Sequence, residues 1–471
     1  MPVITIAQMR QWEAASWAAG KSETEVIRAV GKAVARRVLQ LTTTNDRVLV
    51  VAGKGHNGDD ARCVSDHLPD RRLAQLEVKD PRSDLARLDA LLDARPALIV
   101  DGLFGIGINR PLAPEWIRLI EKINQTQIPI LAVDIPSGLN GDTGEPQGAS
   151  VRASITLTVG APKVGLIQAA ASPYVGRLEM TDDVGLLPCP ATSEIQWTIP
   201  ADFARFPPPR PVAGHKGTFG HLAIIAGSRG FHGAAVLAAR GAQRAQPGLI
   251  TLLPQESVYL PVASQLQAVM VHPWENAKSL VDNCDAVLVG PGLAAAGLPD
   301  ALRSQAVELW RNFPGPIIAD ASALAWLEPA EITAEPARLR VITPHPGEAG
   351  RLLGIPTAQV QAERVLTLRR LSRKFGGCWV VLKGSQTLVG RETGEVFVNS
   401  SGNPHLAQGG SGDLLSGYLA GLLAQPALRE SPGLTLRYGV WQHGAAADKL
   451  SATRPNWVVE DLAMQLGCPA T

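Results

Sequence analysis

The sequence predicts an α/β protein of two domains, each built on a largely parallel sheet layered between helices. Three observations carry that expectation. The chain has 471 residues, 45% of them hydrophobic and 18% charged, enough apolar material for more than one ordinary core. Short apolar runs recur along it, each closed by Gly, Asp or another polar residue and followed by a helix-length segment, as in α/β layering. A proline-dense stretch then divides the runs into two series.

Taken in order, the first series is Val48 to Ala52, Leu98 to Val100, Ile130 to Val133 and Ile155 to Val159. The second is Leu222 to Ala226, Ala286 to Val289, Ile317 to Ala319, Val341 to Ile342, Trp379 to Leu382 and Val396 to Val398. Between them, Leu187 to Lys216 holds Pro188, Pro190, Pro200, Pro207, Pro208, Pro209 and Pro211, a density that reads as a stiff linker outside either core. The expected domains are therefore 1–198 and 199–471, with the boundary near Ile199.

Composition narrows the partners. With 44 basic and 43 acidic residues the formal charge is +1, so no long-range field draws in nucleic acid or an anionic membrane, and small molecules are the expected partners. The five cysteines, Cys63, Cys189, Cys284, Cys378 and Cys468, show neither CxxC pairs nor zinc-type spacing, which suits a reducing, cytoplasmic setting. Arg10 and Glu13 interrupt the start of the chain before a signal-peptide core could form, and no run of about 18 apolar residues occurs.

In open parallel sheets, ligands bind beyond the carboxyl ends of the strands, and there this sequence keeps its polar residues. Val100 leads into Asp101, Val133 into Asp134, Ala319 into Asp320, Ile342 into Thr343 to Glu348, and Leu382 into Lys383. The most specific motif is AQGGSGD, Ala407 to Asp413, running into a segment whose Leu414, Leu415, Tyr418, Leu419, Leu422 and Leu423 predict a buried helix from about Ser411. Gly409, Gly410 and Gly412 at the start of that helix can turn backbone N–H groups toward an anion, with Asp413 in the first turn. LKGSQT, Leu382 to Thr387, leaves a strand with a lysine and small hydroxyl residues suited to a phosphate tail, and no GxxxxGK[ST] P-loop is present.

With HKGTFGHLAIIAGSRGFHGAA (His215 to Ala235), GPGL (Gly290 to Leu293), TPHPGE (Thr343 to Glu348) and NPHLAQGGSGD (Asn403 to Asp413), residues 199–471 resemble the ADP/ATP-dependent NAD(P)H-hydrate dehydratases. The resemblance implies a ribokinase-like three-layer domain that phosphorylates hydrated NAD(P)H and expels phosphate, with ADP as donor and Mg2+ as cofactor. It implies Asp413 as the catalytic base. It also implies that Lys383, Gly384, Ser385, Gln386, Thr387, Gly409, Gly410, Ser411 and Gly412 bind ADP, and that Ala234, Gly292, His345 and Asp413 contact the hydrated dinucleotide. The family's DADAL stretch reads Asp320 to Leu324 here with Ser322 in place of an acid, which weakens any role assigned there.

In the first half, GKGHNG (Gly53 to Gly58) matches GxGxxG after a strand, with Glu77 about twenty residues on, as in a dinucleotide-binding unit. Together with DGLFGIGINRPL (Asp101 to Leu112), VDIPSGLNGDTGE (Val133 to Glu145) and TVGAPKVGL (Thr158 to Leu166), the first 190 or so residues resemble the NAD(P)H-hydrate epimerases. The resemblance implies a Rossmann-like three-layer domain with K+ held by Asn57, Asp101 and Ser137, oxygen donors suited to an alkali cation. It implies substrate contacts at His56, Asn57, Gly58, Asp59 and Asp60, and at the phosphate cradle Gly105, Ile106, Gly107, Ile108, Asn109, Arg110 and Pro111. Asp134 would be the acid or base, and the family suggests a homo-oligomer. This chain departs from the family's GNNGGDG turn by His56, Asp59 and Ala61, with Asp59 adding a charge near the expected phosphates, and its Ile27 to Gly31 lacks the usual acidic and amide residues.

Two functions are therefore weighed for the whole chain. The first is a dehydratase fused to an epimerase. The second is a ribokinase-like kinase for a small vitamin precursor, sharing the same GlySerGlyAsp helix start, above a degenerate scaffold domain.

Overall fold

A computed structural model describes residues 1–331 and 338–467. The chain divides into two compact units, Met1–Glu194 and Ile195–Thr471. In the first, β1 (Arg47–Ala52), β2 (Arg72–Glu77), β3 (Leu98–Gly102), β4 (Ile130–Val133), β5 (Ile155–Val159) and β6 (Arg177–Thr181) form one sheet in the order β2-β1-β3-β4-β5-β6. Every pairing is parallel.

Alternation along β1 sorts its side chains into two cores. Val48, Val50 and Ala52 join Val26, Val30, Val34 and Val38 of helix Glu23–Leu41 on one face. Leu49 and Val51 join Leu88, Leu119 and Ile123 of helices Pro81–Asp93 and Pro114–Gln125 on the other. The apolar runs expected from the sequence are β1, β3, β4 and β5, which are buried on both faces and so read as continuous apolar stretches. The edge strands β2 and β6 carry polar residues, bury only Leu76 and Leu178, and gave no such signal.

The second unit has β7 (Ile195–Trp197), β8 (His221–Ile225), β9 (Leu249–Leu253), β10 (Met270–Val271), β11 (Ala286–Val289), β12 (Ile317–Ala319), β13 (Arg340–Ile342), β14 (Trp379–Leu382), β15 (Leu388–Gly390) and β16 (Val396–Val398). Their order is β10-β9-β8-β11-β12-β13-β14-β15-β16-β7, parallel throughout except where β15 runs antiparallel to both neighbours. Helices His232–Ala245 and Ser411–Leu423 cover one face through Val236, Ala239, Leu415 and Leu419, and helix Arg364–Lys374 packs on β14 and β15. The first two helices meet backbone to backbone. A Cβ at Gly417 would lie 1.9 Å from the Ala238 carbonyl oxygen, and one at Gly241 2.1 Å from that of Leu414.

One expectation is corrected. The proline-rich stretch is not simply a linker outside the core, because β7 lies within it and pairs with β16, burying Trp197, and Phe203 packs on Tyr438 and Trp441 at ring-centroid distances of 5.5 Å. The two compact units divide between Glu194 and Ile195. The edge offered by Val396–Val398 draws the preceding segment into the sheet, a pairing invisible to local composition. Cys63, Cys189, Cys284 and Cys378 are free thiols, and Cys468 lies outside the described residues. Among the described residues, no helix is long and apolar enough to span a membrane.

Candidate active sites

In the Ile195–Thr471 unit, helix Ser411–Leu423 starts after Gly410, whose φ of +92° is open to glycine at little cost. Among the described residues, the amides of Gly409, Gly410, Gly412 and Asp413 donate to no protein acceptor, the pattern of an anion-binding helix start. Lys383, at the end of β14, reaches this turn from the neighbouring loop, and a Cβ at Gly412 would sit 3.3 Å from its Nζ. The ammonium donates to Asp320 Oδ1 at 2.8 Å, an oxygen that also accepts from Thr343 Oγ1 at 2.7 Å.

Burial pulls the Lys383 ammonium down, yet Asp320, Glu348 and Asp413 outweigh it and hold the group above the ordinary lysine range. Asp413 moves the other way from a carboxylate's usual value. Burial and then the Asp320 charge push it up to about 7, Lys383 opposing and Glu348 adding. A carboxylate balanced near neutrality beside a fixed cation and open amides can accept a hydroxyl proton while a phosphoryl group is held in place.

Ala234 and Gly292 come together. Gly292 has φ +64°, and a Cβ there would lie 2.8 Å from that of Ala234 and 2.5 Å from the Phe231 carbonyl oxygen. Ser228 Oγ fixes this loop by donating to Gly292 O at 2.7 Å and accepting from Ala295 N at 3.1 Å. His345 is a helix cap: its Nδ1 accepts from Gly347 N at 3.0 Å, and Glu348 Oε2 accepts from His345 N at 2.8 Å. Its other ring nitrogen lies 3.5 Å from Glu348 Oε1, so among the described residues its hydrogen bonds and ion pair stay within its own helix start.

In the Met1–Glu194 unit, Asn57 and Ser137 both bond the Phe104 backbone, and Asp101 holds Ser137 from behind. Asn57 Nδ2 donates to Phe104 O at 2.8 Å, Phe104 N donates to Ser137 Oγ at 2.8 Å, and Ser137 Oγ donates to Asp101 Oδ1 at 2.6 Å. Asp101 is fully enclosed, and burial raises it to about 6 against the Ser137 and Leu103 hydrogen bonds. Gly105 touches Asn57, since a Cβ there would be 3.1 Å from the asparagine Cβ. From Gly105 to Arg110 no amide donates to a protein acceptor among the described residues.

The altered glycine turn is locally compensated. Asp59 is bridged by Arg62, which also donates to Gly53 O at 2.9 Å and lies 3.4 Å from Glu77. Ala61 is buried on the helix His56–Cys63 with its Cβ against Gly102. His56 is exposed and 3.3 Å from Glu23.

Asp134 takes a left-handed φ of 63° beyond β4, and its Oδ1 accepts from Val159 N at 2.9 Å, from Thr158 Oγ1 at 3.1 Å and from Lys163. Lys163 is wholly buried and also donates to Val159 O at 2.8 Å. Desolvation and the Asp134 charge raise both Glu13 and Asp60. The sequence assigns no role to Lys163 or Ser228 and marks Asp320 and Thr343 only as strand-end polar residues. Lys163 lay inside TVGAPKVGL and Asp320 at a strand end, so their positions were visible but their pairing across the fold was not.

Comparison with known proteins bears on both halves. Residues 222–468 match a family model described as NAD(P)H-hydrate dehydratase, and residues 71–165 match one described as YjeF-related protein N-terminus. The second match begins beyond the altered turn. The chain is similar to a protein of Gloeobacter violaceus named bifunctional NAD(P)H-hydrate repair enzyme Nnr, 36% identical over 99% of this chain and 96% of the other. A protein of that name from Coxiella burnetii is 33% identical over 94% and 93%. Among solved structures, a ribokinase-like superfamily protein of Enterococcus faecalis superposes with a TM-score of 0.51 at 26% identity, covering 59% of this chain and 95% of the other.

Proposed function

Because the chain belongs to the family of bifunctional NAD(P)H-hydrate repair enzymes, we propose that its second unit dehydrates the S epimer of hydrated NADH or NADPH with ADP as phosphoryl donor. Its first unit then interconverts the R and S epimers. The observation that carries the dehydratase assignment is the meeting of Asp413, Lys383 and the open amides of the Gly409–Gly412 turn.

Asp413 accepts the proton of the substrate hydroxyl as its oxygen bonds to the β-phosphorus of ADP and the bond to AMP breaks. Lys383 and the turn amides hold the transferring oxygens, and the Gly384–Thr387 loop holds the rest of the ADP phosphate tail. The phosphorylated hydroxyl then leaves as inorganic phosphate while the adjacent ring carbon gives up a proton, and the electron pair of that C–H bond forms the double bond that restores the reduced ring. Ala234 and Gly292 line the dinucleotide side, where His345 adds a capped loop edge. Glu348 and Asp413 are the hard carboxylate donors available to Mg2+, which supplies charge neutralisation on phosphate when bound.

In the first unit the oxygen donors of Asn57, Asp101, Ser137 and the Phe104 carbonyl suit K+, which when bound supplies a fixed positive charge. The amides of Gly105 to Arg110, followed by Pro111, cradle the substrate phosphates, and Gly58 to Asp60 add further substrate contacts. Asp134, held by Lys163, takes and returns a proton on the hydrated ring. A cytoplasmic, homo-oligomeric enzyme completes the proposal.

The test incubates purified protein with mixed hydrate epimers and ADP while reduced-nicotinamide absorbance, AMP and phosphate are followed. The expected result is one AMP and one phosphate for each reduced cofactor recovered. Accumulation of a stable organic phosphoester instead would establish the kinase reading.

A further inference from the structure

Arg364, at the first position of helix Arg364–Lys374, takes no part in the chemistry above, yet its guanidinium collects the carbonyls of the loop after β14. One terminal nitrogen, Nη1, donates to Ser385 O; the other, Nη2, donates to Leu382 O at 3.2 Å and Lys383 O at 3.5 Å. Nε is shut away from solvent without a partner, and burial draws the group down to about 10. The carbonyl between them, Gly384 O, accepts from Thr387 Oγ1 at 3.0 Å.

Four successive carbonyls are therefore committed. In a trans peptide the N–H of the next residue points opposite the carbonyl, so carbonyls drawn toward the guanidinium aim the amides of Gly384 and Gln386 away from it. Among the described residues, none of the amides from Gly384 to Thr387 donates to a protein acceptor, whereas the amide of Lys383 is held by Pro344 O at 2.9 Å. Gly384 at φ +130° and Gln386 at φ 54° make the sharp changes of direction this requires. Consecutive unpaired amides in such a loop form an anion-binding concavity.

We propose that Arg364 is a positioning residue for the nucleotide: it clamps the carbonyl side of the Lys383–Thr387 loop so that the amide side is presented to the phosphates of ADP. This rests on the assignment of that loop to ADP. A planar fork that bonds several oxygens at once is the property used, and a lysine of equal charge cannot reproduce it.

The test varies ADP in initial-rate assays of Arg364→Met and Arg364→Lys. Both variants are expected to raise the KM for ADP by roughly 10- to 100-fold, the loss of charged hydrogen bonds, with kcat at saturating ADP little changed. An unchanged KM in both overturns the proposal. Full recovery by lysine also overturns it, because charge alone would then suffice. Gly384→Val serves as the control for the loop: if it raises the KM while the Arg364 variants do not, only the role of Arg364 falls; if none of the three moves the KM, the ADP assignment falls with it. Hydrogen exchange on the unmodified protein needs no variant to fold. ADP should slow the amides of Gly384 to Thr387, and unchanged rates at saturating ADP overturn the proposal.

Discussion

Asp413 shows how a single side chain acquires its chemistry from three others. Because burial and Asp320 raise it to about 7, its basic form is lost as pH falls through that value, so kcat/KM for dehydration should decline below about 7. Lys383 favours the ionised form, and Lys383→Met should therefore move the same limb to higher pH; a limb that stays put removes Lys383 from the electrostatics of the site. Asp413→Asn should cut turnover by about two to four orders of magnitude with ADP binding retained, as calorimetry can check. In the first unit, Asp134→Ala should leave one hydrate epimer rapidly repaired and the other limited by its spontaneous interconversion. If the unmodified protein already stalls after one epimer, the first unit is a scaffold. Asp413, Asp101, Asp134 and Asp320 were legible as strand-end or helix-start acids, whereas the pairing of Asp134 with Lys163 and of Asp320 with Lys383 was not, because a buried ion pair joining residues 29 or 63 positions apart has no local signature.

At the scale of elements, most strands buried on both faces stood out as apolar runs, the three-residue β15 being too short to do so, and helix Ser411–Leu423 began at the residue expected. Strands at sheet edges escaped because they need only one apolar side. β9 escaped although it is nearly all apolar, since Leu249 to Leu253 ends at Pro254 without the polar closure that marked the others. The packing of helices His232–Ala245 and Ser411–Leu423 was also invisible, resting on residues without side chains. Gly417→Ala would push a methyl group into the Ala238 carbonyl, and overpacking of this kind costs about 1–3 kcal/mol. A lowered Tm with a reduced ADP affinity is expected, because the same helix begins at the anion turn; an unchanged Tm would mean that the helices can part freely.

For the molecule as a whole, two sheets with separate cores match two reactions on one damaged metabolite. The family relationship and the site chemistry point the same way, and the substitutions in the glycine turn are accommodated by Arg62 and Gly102 without disturbing Asn57. The strand Ile195–Trp197 has a practical consequence for cutting the chain into pieces. It closes the β16 end of the larger sheet, so a fragment beginning at residue 199 would expose the hydrogen-bonding edge of Val396–Val398 and the groove left by Trp197. Unpaired edges of that sort recruit other chains. A fragment that starts ahead of Glu194 should be monodisperse by light scattering, the shorter one should precipitate or self-associate, and equal behaviour of the two would show that the strand is dispensable.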